Sequence, residues 1–296
     1  KVVSGKVKIA NKSFFRKDPL NMIRIFEIAH KSQCDIDQEA IEYIVDHLNL
    51  IDDKLRQNPE AKDLFFSMLT HPGPIGKMLS LMQELRVLDN YLPEFEKLHF
   101  RFQHTIYHLY TVDVHSIFAV QEFSNLLLGQ TIHGHLVPID VARHIEKKGL
   151  LAFALLYHDI GKGGGKGHIE RGAKLIRQAA ERMGVSKEGI DIIEFLERSH
   201  LVMTQLAFRR DLEDPNLIIN FAKSMPSLEH LDLLYVLTIC DVKATNPQAL
   251  TQWKADLLQV LYLKARRVIE KGVYTPRKWK SYLDKTRRKV VVLAKG

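Results

Sequence analysis

The sequence predicts an essentially all-α protein, and two observations support this fold class. Apolar residues recur three and four positions apart through most of the 296 residues, as on the buried face of a helix. The alternation typical of strands is confined to residues 1–11. A hydrophobic fraction of 46% and a charged fraction of 26% are ordinary for a globular protein. We therefore expect a helical bundle with a helical subdomain and a short β-hairpin at its N-terminal end.

The first third of the chain is predicted to be a helical scaffold. A hairpin is expected to turn at Ser4 and Gly5, because Val and Ile alternate on either side of them. Asp18, which precedes a proline, is expected to cap the first helix. Asp37 is expected to cap a longer helix whose apolar stripe reaches Leu55. Further helices are predicted over 60–70, 75–89 and 93–99.

Three segments are predicted: an N-terminal subdomain over 1–100, a second domain over 101–270 and a basic tail over 271–296. The tail holds nine Lys or Arg residues against the single acid Asp284, so the formal net charge of +8 resides there and the rest is neutral. Electrostatic attraction between this basic tail and a phosphate backbone would by itself allow weak, non-specific nucleic-acid binding. We favour a helix or linker that contacts other domains, and nucleic acid is not an expected partner.

Several classes of protein are excluded by simple sequence features. The longest apolar run, from Leu150 to Tyr157, is far too short to cross a bilayer, so no membrane association is expected. Cys34 and Cys240 form no CxxC pair, which argues against a disulfide framework or a thiolate zinc site. The chain starts at Lys1 without a signal peptide, so we expect an excised fragment of a cytoplasmic protein.

The stretch from residue 150 to residue 173 concentrates the residues typical of a reactive site. An apolar run leads to His158 and Asp159, and five glycines follow within the next eight residues. Glycine lets the backbone approach a ligand closely. A carboxylate so near a core must be paired or bound to a metal ion, because burying a bare charge is highly unfavourable. Lys162 lies within this glycine corner.

Other donor side chains lie on the apolar faces of predicted helices or at their starts. Together with His158 and Asp159 they make six donors, which is more than one ion with open coordination positions needs. One or two divalent ions are therefore expected, with Mn, Fe, Mg and Zn as candidates. The predicted metal ligands are His115, His158, Asp159, His168, His200 and Asp241. The helices of this region are predicted over 113–128, 149–159, 168–183, 187–200, 214–224, 229–244 and 248–271.

A His-Asp dipeptide is weak evidence by itself, because about one is expected by chance in a chain with 14 histidines. A single inward histidine is more often an ordinary core residue. The order of the donors shifts the balance: a lone His, then His-Asp, then two more His, then an Asp deep in a helix. This order favours a metal site.

The ordered pattern resembles the HD superfamily of metal-dependent phosphohydrolases, whose signature is a His, a His-Asp pair and a distal Asp. The resemblance implies that His115, His158, Asp159 and Asp241 hold the principal ion. The flanking segments are similar to the family of bacterial PII uridylyltransferase/uridylyl-removing enzymes. These segments are FQHTIYHLYTVDVHS at 102–116, LLYHDIGKGGGKGHIERGA at 155–173, RSHLVMTQLAFRRDLEDP at 198–215 and CDVKATNP at 240–247.

The resemblance implies removal of UMP from a uridylylated tyrosine of the PII nitrogen-regulatory protein, which would be both substrate and partner. The sequence lacks the Gly-Ser with paired aspartates typical of the family's nucleotidyltransferase domain, and no ACT regulatory modules follow residue 296. Uridylyl transfer and glutamine sensing are therefore not expected of this chain. The missing nucleotidyltransferase and ACT domains are its other expected partners.

Several residues are candidates for direct roles in the reaction. Asp159 and Lys162 are assigned catalytic roles, with Lys162 as a point charge beside a phosphate oxygen. Glu170 would orient His168 or remain a solvated acid in the first turn of a helix. His104 and His108 match the family pattern as substrate contacts, and they would equally support the helix that carries His115. The predicted substrate-binding residues are His104, His108, Arg209 and Arg210.

Two alternative functions stay open at this point. A nucleotide or cyclic-dinucleotide phosphodiesterase would share the HDIGK motif, although no Gly-Tyr-Pro triplet occurs in this sequence. A metal-free helical module would bind nucleotide or dock a partner without turnover. The uridylyl-removing enzyme and the phosphodiesterase both predict bound metal and loss of activity in His158→Ala or Asp159→Ala. The metal-free module predicts neither.

Overall fold

The structure, a computed structural model, describes residues 1–98, 110–162, 167–272, 274, 275 and 281. Within these residues helices dominate, and the strands form one small sheet near the N-terminus. The prediction of an all-α protein is confirmed. None of the described helices is long and apolar enough to cross a membrane.

The elements of the N-terminal part include three very short strands. Their bounds are β1 Val2–Val3, β2 Lys6–Val7, α1 Phe14–Lys17, α2 Asn21–Lys31, β3 Asp35–Ile36, α3 Gln38–Asp46, α4 Asp53–Arg56, α5 Pro59–Thr70, α6 Ile75–Glu84 and α7 Val87–Tyr91. Two 3₁₀ turns cover Leu48–Leu50 and Phe95–Leu98.

The elements of the second part are all helices. Their bounds are α8 Val112–Leu127, α9 Val137–His144, α10 Lys148–Tyr157, α11 His168–Arg182, α12 Lys187–Ser199, α13 Val202–Arg209, α14 Pro215–Lys223, α15 Leu228–Thr245 and α16 Gln252–Lys271.

The predicted hairpin is present and has a third strand beside it. β1 and β2 pair antiparallel, and the chain turns through Ser4 and Gly5, whose φ angles are +50° and +73°. Two positive φ angles in succession are typical of the tight turns that join hairpin strands. β3 pairs parallel to β2, with Val7 opposite Ile36. The sequence did not predict β3, because two residues are too few to show alternation.

Two predictions about helix boundaries are wrong. Asp18 does not cap the first long helix, because α2 begins at Asn21 and the Asp18 carboxylate instead accepts a hydrogen bond from the Leu20 amide. The long helix expected from Asp37 to Leu55 ends at Asp46 and resumes only as α4. The apolar stripe persists across the break because the intervening 3₁₀ turn keeps apolar residues directed at the core.

Other differences have similar local causes. The predicted helix over 75–89 is divided into α6 and α7 by Arg86, whose φ of +63° is incompatible with a continuous helix. α9 and α13, each of eight residues, were not predicted. Helices this short show too few turns for a clear period.

The helices share one apolar core. α8 packs along α15, and α10 packs against both of them and against α12. From the N-terminal part, α6 lies on α8 and α5 lies on α10. Phe123, Leu155 and Leu237, one from each central helix, are fully buried, and each such side chain contributes about 1.5–3 kcal/mol of transfer free energy. His115 and Asp241 lie on α8 and α15, and His158 and Asp159 directly follow α10, so the core holds these predicted ligands in place.

Candidate metal centre

Five of the six predicted metal ligands meet at one place in the structure. His115 lies in the first turns of α8, and Asp241 lies near the end of α15. His158 and His200 are the residues that directly follow α10 and α12, and Asp159 comes next after His158. The expectation that α10 continues to residue 159 is therefore wrong. Both donors therefore lie just beyond the C-terminal end of α10.

A close backbone contact explains why the chain turns at this point. A Cβ atom on Gly161 would lie 1.9 Å from the carbonyl oxygen of His168 and 2.6 Å from the amide nitrogen of Gly172. Only glycine fits, since both atoms belong to the backbone of α11. The glycine corner thus brings the end of α10 against the first turns of α11.

Donor atoms of His115, His158 and Asp159 lie within 4.8 Å of one another, which is the spacing of ligands around a single ion, and Asp241 contacts both imidazoles. The Nε2 atom of His115 is 3.0 Å from Oδ1 of Asp241 and 3.1 Å from Nε2 of His158. His158 Nε2 is 3.3 Å from the same Asp241 oxygen, and Oδ2 of Asp159 is 3.5 and 3.7 Å from the two imidazoles. Ligands at about 2.0–2.2 Å from a metal ion are about 3.0–3.5 Å apart. The residues present therefore fit a divalent ion.

A fifth donor approaches Asp159 from the other side. The Nε2 atom of His200 lies 3.8 Å from Oδ1 of Asp159. Both atoms are buried, and neither has a hydrogen-bond partner among the described residues. Unsatisfied buried polar atoms are rare and indicate an unfilled role, such as binding an ion. Oδ2 of Asp159 thus faces the imidazoles of His115 and His158, and Oδ1 faces that of His200.

The imidazole rings are oriented by backbone carbonyls. The Nδ1 atom of His158 donates to the carbonyl oxygen of Leu155 at 2.8 Å, and that of His200 donates to the carbonyl oxygen of Glu197 at 2.6 Å. In the neutral rings this bond holds the proton at Nδ1, so each Nε2 would present its lone pair toward Asp159 when an ion is bound, as a metal-binding histidine does.

The charged groups of this cluster shift one another's pKa values. Burial alone would lower the pKa of His158, but the Asp159 and Asp241 carboxylates outweigh it and raise the pKa to about 9. Burial disfavours ionised Asp159 and Asp241, yet the surrounding imidazoles hold the pKa of each carboxyl below its ordinary value. Burial lowers the pKa of His200. Both carboxylates are therefore ionised at neutral pH, which is the state that binds a cation.

Lys162 is held by the cluster. Its Nζ atom lies 2.5 Å from Oδ2 of Asp159, and its side chain is largely buried. An ammonium group at this position lies next to any anion bound at the cluster.

Within the described part of the chain no ion pair joins the remaining predicted residues to this cluster, and two of these residues lie outside that part. His168 begins α11, and within the described chain no ion pair shorter than 4.0 Å joins its ring to Asp159 or Asp241. Arg209 and Arg210 are exposed at the end of α13. Glu170 is exposed and pairs with Arg198. The other two predicted substrate-binding residues, His104 and His108, lie outside the described residues.

Two supporting groups were missed by the sequence analysis. Glu197 is buried beside the cluster, and burial raises the pKa of its carboxyl well above the ordinary value. Glu94 accepts hydrogen bonds from Tyr157, the residue before His158, at 3.3 Å and from Arg182 at 2.8 Å. No local signal identifies Glu94, because its partners are 63 and 88 residues away.

Comparison with protein families agrees with this site. A family model described as HD domain matches residues 128–232, which include His158, Asp159 and His200. A second model, described as uridylyltransferase GlnD third domain, matches residues 1–91. The second part of the chain therefore carries an HD domain.

The chain is more specifically similar to curated enzymes named bifunctional uridylyltransferase/uridylyl-removing enzyme. It is 36% identical over 273 residues to the one from Ruegeria pomeroyi, which covers 92% of this chain and 30% of that enzyme. It is 34% identical over 268 residues to that of Caulobacter vibrioides, covering 90% of this chain and 28% of that enzyme. The resemblance that the motifs indicated is confirmed. The chain spans about 30% of the length of these relatives.

Proposed function

We propose that this chain hydrolyses a phosphodiester with a divalent ion, and that its substrate is the uridylylated tyrosine of a PII protein, from which it releases UMP. The observation that carries the proposal is that Asp159 and Asp241 each place a carboxylate oxygen within 4 Å of the Nε2 atoms of both His115 and His158. The name of the similar enzymes supports the uridylyl-removing activity. Their transferase activity is not assigned to this chain.

In this proposal four residues bind the principal ion: His115, His158, Asp159 and Asp241. Asp159 also extends its second oxygen toward His200, so these two residues would hold a second ion, with His168 at the start of α11 as a further predicted ligand. A divalent ion held here supplies positive charge to the phosphoryl oxygens and lowers the pKa of coordinated water toward neutrality. Mixed imidazole and carboxylate donors suit Mn, Fe or Zn, and the carboxylates also admit Mg.

The chain's own groups prepare the site for an anionic substrate. Lys162, held on Asp159, places a cation beside the phosphoryl group without needing to move. Arg209 and Arg210, exposed at the end of α13, would meet the substrate protein or its phosphate from outside. The leaving group is a tyrosine phenolate, whose conjugate acid has a pKa of about 10, so little general-acid help is required.

The experiment that tests this proposal measures UMP release from uridylylated PII by the purified chain, with each candidate divalent ion added in turn. We expect release that depends on the ion and is lost in His158→Ala. Cleavage of cyclic dinucleotides without release of UMP from PII would reject the substrate in favour of the related phosphodiesterases. Elemental analysis that finds no bound metal at any added concentration would reject the metal site as well.

A further inference from the structure

A recess with a volume of about 410 Å³ lies between α8 and the end of α15, close to the candidate metal centre. This volume lies within the range of small-molecule sites. Its wall is aromatic and apolar at one end and charged at the other. The residues that define it are Tyr110, Phe118, Glu122, Lys243, Asn246 and Pro247.

The recess is adjacent to two of the metal-binding side chains. Phe118 follows His115 by three residues on α8, and Ala244 follows Asp241 by three residues on α15. Three residues advance a helix by about 5 Å, nearly one turn. The recess therefore begins about one helical turn from the donors, on the same two helices.

Asp241 is more exposed than the other residues of the metal cluster. The side chain of Asp241 is 14% exposed, whereas those of His115 and Asp159 are each 2% exposed. Asp241 lies on α15, the helix that forms one wall of the recess. A ligand whose phosphate lies at the cluster would reach solvent past Asp241 and along the recess.

The lining has the chemistry that recognises a nucleoside. The rings of Tyr110 and Phe118 meet edge to face, with centroids 4.7 Å apart, and form a rigid aromatic wall. Nucleobases stack on such rings. At the other end, Lys243 and Glu122 form an ion pair at 2.7 Å and are both partly exposed, so the Glu122 carboxylate is available to accept a ribose hydroxyl.

We propose that this recess binds the nucleoside of the substrate, with the pyrimidine ring against Phe118 and Tyr110 while the phosphate lies at the metal cluster. The proposal rests on the proposed function, which supplies a uridylyl group. The tyrosine ring of the substrate does not suit the recess, because its own protein holds it one methylene from the backbone. A phenyl ring also offers no ribose hydroxyl to the Glu122 carboxylate.

The experiment compares the affinities of UMP and ribose 5-phosphate for the 296-residue chain by isothermal titration calorimetry. Both ligands carry the same phosphate and sugar, so their ratio isolates the base. We expect UMP to bind about tenfold more tightly, the contribution of one base stacked on an aromatic side chain. Phe118→Ala and Phe118→Leu should bring the ratio close to one, and Phe118→Leu preserves apolar packing if the smaller alanine destabilises α8.

Trp253→Ala is the matched control, because it removes an aromatic ring that is 62% exposed on α16. It should leave the tenfold ratio unchanged. Equal affinities in the unmodified chain, or a ratio that survives both Phe118 substitutions, would overturn the proposal. If the chain releases UMP from uridylylated PII but shows equal affinities, the recess assignment fails while the proposed function stands. If the ratio depends on Phe118 but PII is not a substrate, the recess stands and the substrate assignment fails.

Discussion

The N-terminal part and the second part of the molecule both bury histidines, but they use them differently. In the N-terminal part, the Nε2 atom of His30 donates to the carbonyl oxygen of His71, and His47 bonds to the carbonyl of Tyr43 and to Arg16. Each ring is part of local packing. In the second part, the ring nitrogens of His115, His158 and His200 point toward the same carboxylate. Burial of a histidine is therefore uninformative, whereas convergence of several lone pairs indicates an ion.

The strongest test of this contrast uses one substitution in each part. It changes a carboxylate that faces histidines in the second part and a buried histidine in the N-terminal part. Asp159→Asn removes the charge that faces three imidazoles, so we expect bound metal to be lost and phosphodiester hydrolysis to fall on the order of 10³-fold, about 4 kcal/mol of activation free energy. His47→Gln, in the N-terminal part, should retain the metal content and turnover. Metal analysis and hydrolysis rates check both expectations. An Asp159→Asn variant with full metal content and activity would contradict the assignment.

The next largest effect concerns the glycine corner. Gly161→Ala would place Cβ against backbone atoms of α11 that cannot move independently, so we expect a loss of at least about 3 kcal/mol in the free energy of unfolding. Gly149→Ala is a matched control, because its Cβ would meet Phe66 at an ordinary 3.6 Å. That variant should be stabilised by about 0.5 kcal/mol. Urea denaturation measures both, and equal stabilities would show that the corner is not tightly packed.

The pH dependence of stability should distinguish the clustered His158 from the isolated histidines of the N-terminal part. The pKa of His158 rises from 6.5 to about 9 in the metal-free fold, so its protonation stabilises that fold. This contribution is fully present below about pH 6.5 and is lost as the pH rises through about 9, a change of about 2–3 kcal/mol. Thermal unfolding of chelator-treated protein at pH 6.5 and 9.5 measures it. His158→Gln should flatten the dependence, and an unchanged decline in that variant would exclude His158 as its source.

The smallest effect concerns the surface beside the cluster. Arg198 pairs with Glu170 and Glu194 and is 41% exposed, so Arg198→Ala should cost about 0.5 kcal/mol of stability and leave hydrolysis unchanged. This variant also tests whether Glu170 orients His168. A tenfold loss of activity with normal stability would show that the pair supports the reaction.

Part of the fold could be predicted from local pattern alone. The hairpin at Ser4 and Gly5 and the helices α5, α11 and α16 appear within a few residues of their predicted bounds. The errors lie where tertiary packing overrides a local signal. Asp18 has the sequence of an N-cap but does not cap α2, and the stripe that ends at Leu55 continues across a broken helix.

The sequence by itself determined which kinds of donor are present and their order along the chain, because residue identity and helical spacing are local properties. It also determined the resemblance to HD-type phosphohydrolases. Only the tertiary structure decided that Nε2 of His115 and Oδ1 of Asp241, from residues 126 positions apart, lie 3.0 Å from each other, while Arg209 is exposed at the end of α13. The physical reason is that convergence depends on how distant helices cross in a shared core, which no local period encodes.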